Sequence, residues 1–403
     1  MCRINFYNYR GTLIMKKIVF CLQTMTLGGV EKELITVLKK IYTQFDITLF
    51  LLHLEDEEIL KEIPKDVKIN ILGIDKAYYY GNTFELVKQR IKKRKIIEAG
   101  TIAFKRCLKI GTTGSNTNID NLPTLDGNFD VAICYHIHSP LMLKYTAQKI
   151  KADKKVAWIH NDFYASKYPI QRLKKLVEVY DEFVAVSKKV EGEFRELCPW
   201  YQGKISTAYN YLDADEIIEL SKATNIESVF LQQREVKILT VGRFSEQKGI
   251  DLAIIVCSML RKENLKFHWF LIGYGELESI YRKLIDEYDV KDCFTILGKK
   301  TNPYPYIRNC DIYVQPSRHE AYPLVIMEAK ILHRPIVCTD FDGADEQIDN
   351  NVNGIIVPLN DTKALFKEIA KLICTPESRK ILSKELEKWC AEDELQEIVK
   401  HFE

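Results

Sequence analysis

Short apolar runs rich in β-branched residues alternate along this chain with stretches of helical periodicity. Residues 18–22 form the first such run, and a Gly-Gly pair after it opens a helical pattern over residues 30–41. Strands that alternate with helices predict βαβ units, which assemble into parallel sheets covered by helices on both faces. The sequence therefore predicts an α/β fold built on parallel sheets.

The alternation pauses at residues 212–234, where the sequence is polar and irregular and suits a linker or hinge. It resumes at residue 236 and continues to about residue 357. We therefore predict two Rossmann-like, doubly wound domains, residues 15–212 and 235–391, followed by a C-terminal helix at 392–403. In doubly wound sheets ligands bind beyond the carboxyl ends of the strands, so the residues directly after each strand are the candidates for chemistry.

The composition is that of an ordinary globular protein. Of the 403 residues, 46% are apolar and 28% are charged, with a formal net charge of +2. This balance excludes disordered, collagen-like and coiled-coil proteins and argues against a dedicated nucleic-acid-binding protein. Eleven cysteines without a CxxC pair disfavour a disulfide framework and a zinc site, and favour a reducing cytoplasm. Neither a long apolar run nor a signal-peptide pattern is visible, and residues 1–14 look like an appendage before Met15.

Two cations lie on a glycine-flanked loop after the first strand of the second domain. Gly242-Arg243 follows the strand directly, and Lys248-Gly249 precedes the next helix. A forked guanidinium, a compact ammonium and the unpaired N–H groups of a helix end together suit a diphosphate. The alternative is a surface loop with two solvated cations.

An acidic pair marks a later strand-to-helix junction of the same domain. The strand at 312–314 ends in Pro-Ser, a helix begins near Tyr322-Pro323, and Glu320 and Glu328 flank its start eight residues apart. Such carboxylates can accept hydrogen bonds from vicinal hydroxyls of a sugar or a ribose. The alternative is a solvated helix face, but the residues around Glu328 are otherwise apolar.

Three further junctions carry weaker signals. Gly273 and Gly275 follow a strand, although a tight turn explains them equally well. Gly28-Gly29 precedes the first helix and would let the backbone approach a ligand. His160 ends another strand, and a single histidine is as often structural as catalytic.

Together and in this order, the junctions resemble the retaining glycosyltransferases of family 4. These enzymes have the GT-B fold, in which two Rossmann-like domains face a cleft. The resemblance extends over nearly the whole chain from Met15. The matching stretches are Gly28-Gly29-Val30-Glu31, His160-Asn161-Asp162, Val186-Ser187, Asn210-Tyr211-Leu212-Asp213, Gly242-Arg243-Phe244, Lys248-Gly249, Gly273-Tyr274-Gly275 and the Glu320-x7-Glu328 block.

The resemblance implies four catalytic residues. Arg243 and Lys248 would bind the diphosphate of a nucleotide sugar, Glu320 would contact donor-sugar hydroxyls, and His160 would lie beside the transferred sugar. Glu328 would bind the ribose hydroxyls. The other implied donor contacts are Gly28, Gly29, Gly273, Tyr322, Leu324 and Val325. The C-terminal helix would cross back onto the first domain.

One block departs from the family pattern. The family commonly has Glu-Gly-Phe-Gly where residues 320–323 of this chain read Glu-Ala-Tyr-Pro. Because proline has no N–H, the phosphate contacts at this helix start would rest on Leu324 and Val325.

The expected reaction is a retaining transfer of a sugar, most simply from a UDP-sugar, without a metal ion and without a cofactor. Positioned cations at the departing diphosphate supply the charge that a metal would otherwise provide. Two alternatives stay open. One is a nucleotide-sugar epimerase on the same fold, and the other is an inactive nucleotide-sugar-binding or membrane scaffold.

A basic insertion at residues 76–128 interrupts the first domain. Residues 84–110 contain nine Lys or Arg against two Glu, and Phe84, Val87 and Ile91 fall on one helical side. The segment is either a solvated charged face or a contact with an anionic membrane surface. The expected acceptor is a growing saccharide of a bacterial-type surface polysaccharide. The second interpretation adds that this acceptor is lipid-linked and that the cytoplasmic protein is peripheral on the inner face of the membrane.

Overall fold

The structure of the protein is a computed structural model that describes residues 15–26, 28–74, 119–120, 122–224, 226–389 and 392–403. Residues 1–14 and the basic stretch at 84–110 lie outside these residues. The hypotheses attached to both segments therefore remain predictions from sequence.

In the described part of the chain, seven parallel strands form the first sheet in the order β3-β2-β1-β4-β5-β6-β7. The strands are β1 (Lys17–Leu22), β2 (Asp46–Leu51), β3 (Lys68–Ile71), β4 (Asn128–Cys134), β5 (Lys151–Ile159), β6 (Glu182–Ala185) and β7 (Lys204–Thr207). The helices are α1 (Gly29–Ile41), α2 (Pro140–Lys149), α3 (Phe163–Ser166), α4 (Lys174–Val177) and α5 (Lys188–Leu197), with 3-10 turns at Glu58–Glu62 and Ile170–Leu173. Residues of β1 and β4 are almost fully buried, as the apolar runs predict.

Six parallel strands form the second sheet in the order β10-β9-β8-β11-β12-β13. They are β8 (Val236–Val241), β9 (Phe267–Ile272), β10 (Phe294–Gly298), β11 (Ile312–Gln315), β12 (Ile336–Thr339) and β13 (Ile355–Val357). The described helices of this domain are α8 (Ile250–Lys262), α9 (Glu278–Glu287), α10 (Tyr304–Asn309), α11 (Leu324–Ile331), α12 (Ala344–Gln347), α13 (Thr362–Cys374) and α14 (Pro376–Leu386), with a 3-10 turn at Glu246–Lys248.

The predicted linker is folded. It contains α6 (Ala214–Leu220) and α7 (Ser228–Leu231), where the polar, irregular sequence predicts a linker or hinge. Asp213 caps α6 by accepting a hydrogen bond from the Glu216 amide, and Phe230 is buried against the rings of Phe270 and Tyr306. Two short helices anchored by one cap and one buried ring are too brief to show a clear period in sequence.

Strand order reverses beside the first strand of each sheet, between β1 and β4 and between β8 and β11. Each reversal opens a crevice at the carboxyl ends of the strands, the usual place for a ligand in such sheets. One apolar cluster runs continuously from the first domain onto the second sheet. The two domains therefore pack against each other beside these crevices.

The end of the chain returns to the first domain. Helix α15 (Glu392–Lys400) precedes His401 and Phe402, and the Phe402 ring packs edge-on against Phe20 at 5.3 Å. His401 Nδ1 lies 2.8 Å from the Glu182 carboxylate, and the Lys154 ammonium donates to the His401 carbonyl at 3.0 Å. These contacts hold the C-terminus against β1, β5 and β6.

Candidate active site

The loop after β8 presents its two cations toward the second crevice. Gly249 ends the 3-10 turn with a φ of 61°, and a Cβ there would lie 2.0 Å from the Pro316 carbonyl oxygen. A side chain at this position would collide with the backbone, so glycine is required. Lys248 is half-buried, and its ammonium forms an ion pair with Glu320 Oε1. The structure thus brings together two residues that lie on different predicted junctions.

Glu320 is buried, so the solvated-face interpretation does not hold for it. Ser317 Oγ donates to Glu320 Oε1 at 2.7 Å, Gln315 Nε2 donates to Ser317 Oγ at 2.8 Å, and the Tyr313 hydroxyl donates to Gln315 Oε1 at 2.9 Å. This chain of hydrogen bonds from β11 fixes the carboxylate. Gln315 and Ser317 were not predicted as site residues, although a glutamine at the end of an apolar strand was a usable signal.

Glu328 is also buried, and its partner comes from the other domain. The Lys32 ammonium on α1 lies 2.5 Å from Glu328 Oε1 and 4.6 Å from the centroid of the Tyr304 ring. Burial alone would lower the pKa of Lys32, but the Glu328 carboxylate and Tyr304 outweigh it and the pKa rises. Lys32 was not among the residues predicted from sequence.

Two helix N-termini meet at the cleft. The N-cap residues, Gly28 of α1 and Pro323 of α11, supply no side-chain cap hydrogen bond, and in the first turn of α1 the Glu31 carboxylate accepts a hydrogen bond from its own amide. A Cβ placed on Gly29 would lie 3.7 Å from Leu324 Cδ1, so the first turns of the two helices are neighbours. The other N–H groups of these two first turns, together with the aligned helix dipoles, favour an anion between the domains.

Arg243 and Gly273 line the same region. Arg243 is exposed, and its charge acts on Glu31 of α1, whose pKa is raised by burial and partly lowered by Arg243. A Cβ on Gly273 would lie 1.8 Å from the Gly242 carbonyl oxygen, so the turns after β8 and β9 are packed backbone to backbone. Arg243 therefore faces the first domain across the cleft.

His160 lies at the carboxyl end of β5, as predicted. Its ring is 4.9 Å from that of Tyr135 and 6.1 Å from that of His136, and its Nε2 is buried without a hydrogen-bond partner among the described residues. Burial, and then the neighbouring His136 and His138, hold its pKa well below the usual value. His160 is therefore a neutral imidazole with one unused nitrogen, surrounded by first-domain rings.

Tyr322 belongs to the contact between the domains. Its ring stacks on Tyr209 at 4.9 Å, and its carbonyl accepts a hydrogen bond from Asn210 Nδ2 at 3.0 Å. Glu346 reinforces this contact, because its carboxylate accepts from the Lys188 amide at 2.7 Å and from the Lys189 amide at 2.9 Å. Both sides of the cleft are thereby held near each other.

One group of carboxylates in the described ranges could hold a cation. Oxygens of Asp162, Glu193 and Asp342 lie within 4.8 Å of one another, and the Lys189 ammonium is 3.6 Å from Asp342. This group contains none of the predicted diphosphate ligands.

Residues 221–389 match the family model described as glycosyl transferases group 1. The amylovoran biosynthesis glycosyltransferase AmsK of Erwinia amylovora is 32% identical over 145 residues, which are 34% of this chain and 36% of the relative. An N-acetylgalactosaminyltransferase of Campylobacter jejuni, named for a diphospho-undecaprenol substrate, is 27% identical over 178 residues, 44% of this chain and 46% of the relative. The chain thus matches about a third to a half of the length of these relatives.

Solved glycosyltransferases share the whole fold at low sequence identity. Anabaena Alr3699/HepE, solved with UDP-glucose, aligns with a TM-score of 0.70 and 15% identity over 96% of this chain and 99% of that chain. TarM aligns with a TM-score of 0.65 and 15% identity over 96% of this chain and 98% of that chain. The chain therefore has the GT-B fold, and within it residues 221–389 are similar to glycosyl transferases group 1.

Proposed function

We propose that this chain is a retaining glycosyltransferase of family 4 that transfers a sugar from a UDP-sugar to a saccharide acceptor. The observation that carries the proposal is the pair of buried carboxylates, Glu320 and Glu328, each paired with a lysine beside two adjacent helix N-termini. Such a site can hold hydroxyls and a diphosphate at the same time.

The reaction breaks the bond between the anomeric carbon and the diphosphate oxygen, and the electron pair leaves with UDP. Arg243, Lys248 and the free amides of α1 and α11 stabilise the negative charge that develops on the diphosphate. The acceptor hydroxyl attacks from the face that the diphosphate leaves, and its proton passes to the departing phosphate oxygen. This arrangement retains the anomeric configuration and uses neither a metal ion nor a cofactor.

Glu320 has one oxygen engaged by Lys248 and Ser317, and its other oxygen would accept a hydrogen bond from a donor-sugar hydroxyl. His160 would lie beside the same sugar, where its unused Nε2 can exchange a hydrogen bond with a hydroxyl. A neutral imidazole suits this role because it does not repel the oxocarbenium-like sugar of the transition state.

We further propose a lipid-linked saccharide as acceptor, in the biosynthesis of a surface polysaccharide. The names of the relatives support it, since they refer to amylovoran, to colanic acid and to a diphospho-undecaprenol-linked sugar. Among the described residues, no helix combines the length and apolar character needed to cross a bilayer. The acceptor would be reached from the cytoplasmic membrane surface through the basic residues at 84–110.

The test is a transfer assay with several UDP-sugars and an undecaprenyl-diphosphate-linked saccharide. We expect UDP release together with a glycosidic product whose anomeric configuration, read by NMR, equals that of the donor. Glu320→Gln serves as the inactive control. An inverted product would contradict the retaining mechanism, and conversion of the donor to its epimer without acceptor would favour the epimerase.

A further inference from the structure

The Glu328 carboxylate depends on one residue of the opposite domain. Its side chain is 3% exposed, and the ammonium of Lys32 lies 2.5 Å from its Oε1. Burying a carboxylate without a partner destabilises the folded protein. The Lys32 ammonium offsets this cost for Glu328 at the cleft. Lys32 reaches it from α1, which is 296 residues away in sequence.

Lys32 is itself held in position. Its ammonium lies 4.6 Å from the centroid of the Tyr304 ring, a buried side chain of α10. A cation over an aromatic face gains further stabilisation. Because Tyr304 and Glu328 both belong to the second domain, the ammonium is fixed by two contacts on the far side of the cleft.

The ion pair leaves one acceptor atom for a ligand. A carboxylate has two oxygens, and Lys32 engages Oε1 of Glu328. An ammonium bound to one oxygen restricts rotation of the carboxylate and thereby fixes the direction of the other oxygen. The first turn of α11, where a diphosphate would bind, lies one helical turn before Glu328.

We propose that Lys32 is a positioning residue for recognition of the nucleotide ribose: it holds the Glu328 carboxylate so that the second oxygen accepts hydrogen bonds from the ribose hydroxyls. The inference rests on the proposed function, in which Glu328 binds the ribose. In this proposal the second domain binds the nucleotide, and Lys32 of the first domain helps to recognise it.

The experiment compares the dissociation constants of UDP and 2′,3′-dideoxy-UDP by calorimetry. The wild-type protein should prefer UDP by about 10- to 100-fold, the range for hydrogen bonds to a charged group. Lys32→Met should reduce this preference to within about 3-fold while changing the affinity for the dideoxy compound by less than about 2-fold. Lys32→Arg should retain most of the preference, because a guanidinium can also pair with the carboxylate.

A matched control lies two turns further along the same helix. Lys39 pairs with Glu216 at 2.7 Å, and both side chains are about one-third exposed. Lys39→Met removes an equal charge from α1 but should keep the full preference for UDP. Lys32→Gln provides a second test variant. If Lys32→Met is partly unfolded, the nucleotide preference is measured on Lys32→Gln.

The outcomes separate the inference from the function on which it rests. If the wild-type protein prefers UDP and the folded Lys32→Met and Lys32→Gln variants keep that preference, the inference is wrong and the proposed function stands. If the wild-type protein binds UDP and the dideoxy compound equally, the ribose role of Glu328 fails, and the inference fails with it. If it binds neither, the proposed function itself fails.

Discussion

Glu182 offers a stability test whose magnitude follows from the structure. It begins β6, is buried, and lies 2.8 Å from His401 Nδ1, 2.8 Å from the Lys204 ammonium and 3.2 Å from the Lys154 ammonium. Burial alone would raise the pKa of Glu182, but the hydrogen bonds and charges of these partners lower it from 4.5 to about 2. At about 1.4 kcal/mol per pKa unit, the ionised group adds roughly 3 kcal/mol to the free energy of unfolding.

The perturbation is Glu182→Gln, and the assay is urea unfolding followed by circular dichroism at about pH 7 and about pH 3. A carboxyl group with a depressed pKa stabilises the folded state above its unfolded pKa and loses that effect as the pH falls through its folded pKa. The variant should therefore be less stable than the wild-type protein by roughly 3 kcal/mol near neutral pH and by roughly 1 kcal/mol near pH 3.

An exposed ion pair supplies the control. Glu377 is 73% exposed and lies 3.9 Å from Lys380, so Glu377→Gln should change the free energy of unfolding by less than about 0.5 kcal/mol. Equal stability of Glu182→Gln and the wild-type protein at neutral pH would show that the ionised Glu182 carboxylate does not stabilise the folded state. So would a difference that stays constant between the two pH values.

Three further predictions concern the proposed reaction. Lys248→Ala or Arg243→Ala should lower turnover by roughly 10²-fold or more, and near-normal rates in both folded variants would remove their loop from the mechanism. Transfer should continue at full rate in excess EDTA, whereas loss of activity with rescue by magnesium would show that the two cations do not replace a metal ion. Replacing the four basic residues 92–95 with glutamine should weaken salt-sensitive binding to anionic vesicles by about 1 kcal/mol per charge and leave transfer to a short water-soluble acceptor intact. Unchanged vesicle binding would mean that these residues form a solvated charged face.

The fold was largely predictable because buried parallel strands appear in sequence as continuous apolar runs. β1 and β12 follow this rule most clearly. β7 (Lys204–Thr207) was missed, since it lies at the edge of the first sheet and has one buried residue. A short edge strand that packs on one side carries too few apolar positions to stand out.

The candidate site could be predicted from sequence only where a single strand-to-helix junction contains the residues that indicate it. Lys248, Glu320 and Glu328 follow strands at informative spacings, and the structure buries both carboxylates against lysines. Lys32 makes a contact that only folding creates, because it lies 296 residues from Glu328. A residue of this kind carries no local pattern, since its environment comes from another part of the chain. Ser317 is different: it supports Glu320 by a hydrogen bond over only three residues, so its role was open to prediction from the local sequence.

If the cleft binds the nucleotide of a UDP-sugar, UDP should stabilise the protein in a thermal unfolding series with UDP, GDP and ADP. A ligand at 100 times its dissociation constant adds about 2.7 kcal/mol to the free energy of unfolding. We predict a saturable rise in melting temperature with UDP, smaller rises with GDP and ADP, and loss of the UDP effect in Lys248→Ala. If none of the three nucleotides raises the melting temperature, the cleft does not bind a nucleotide and the proposed function is wrong.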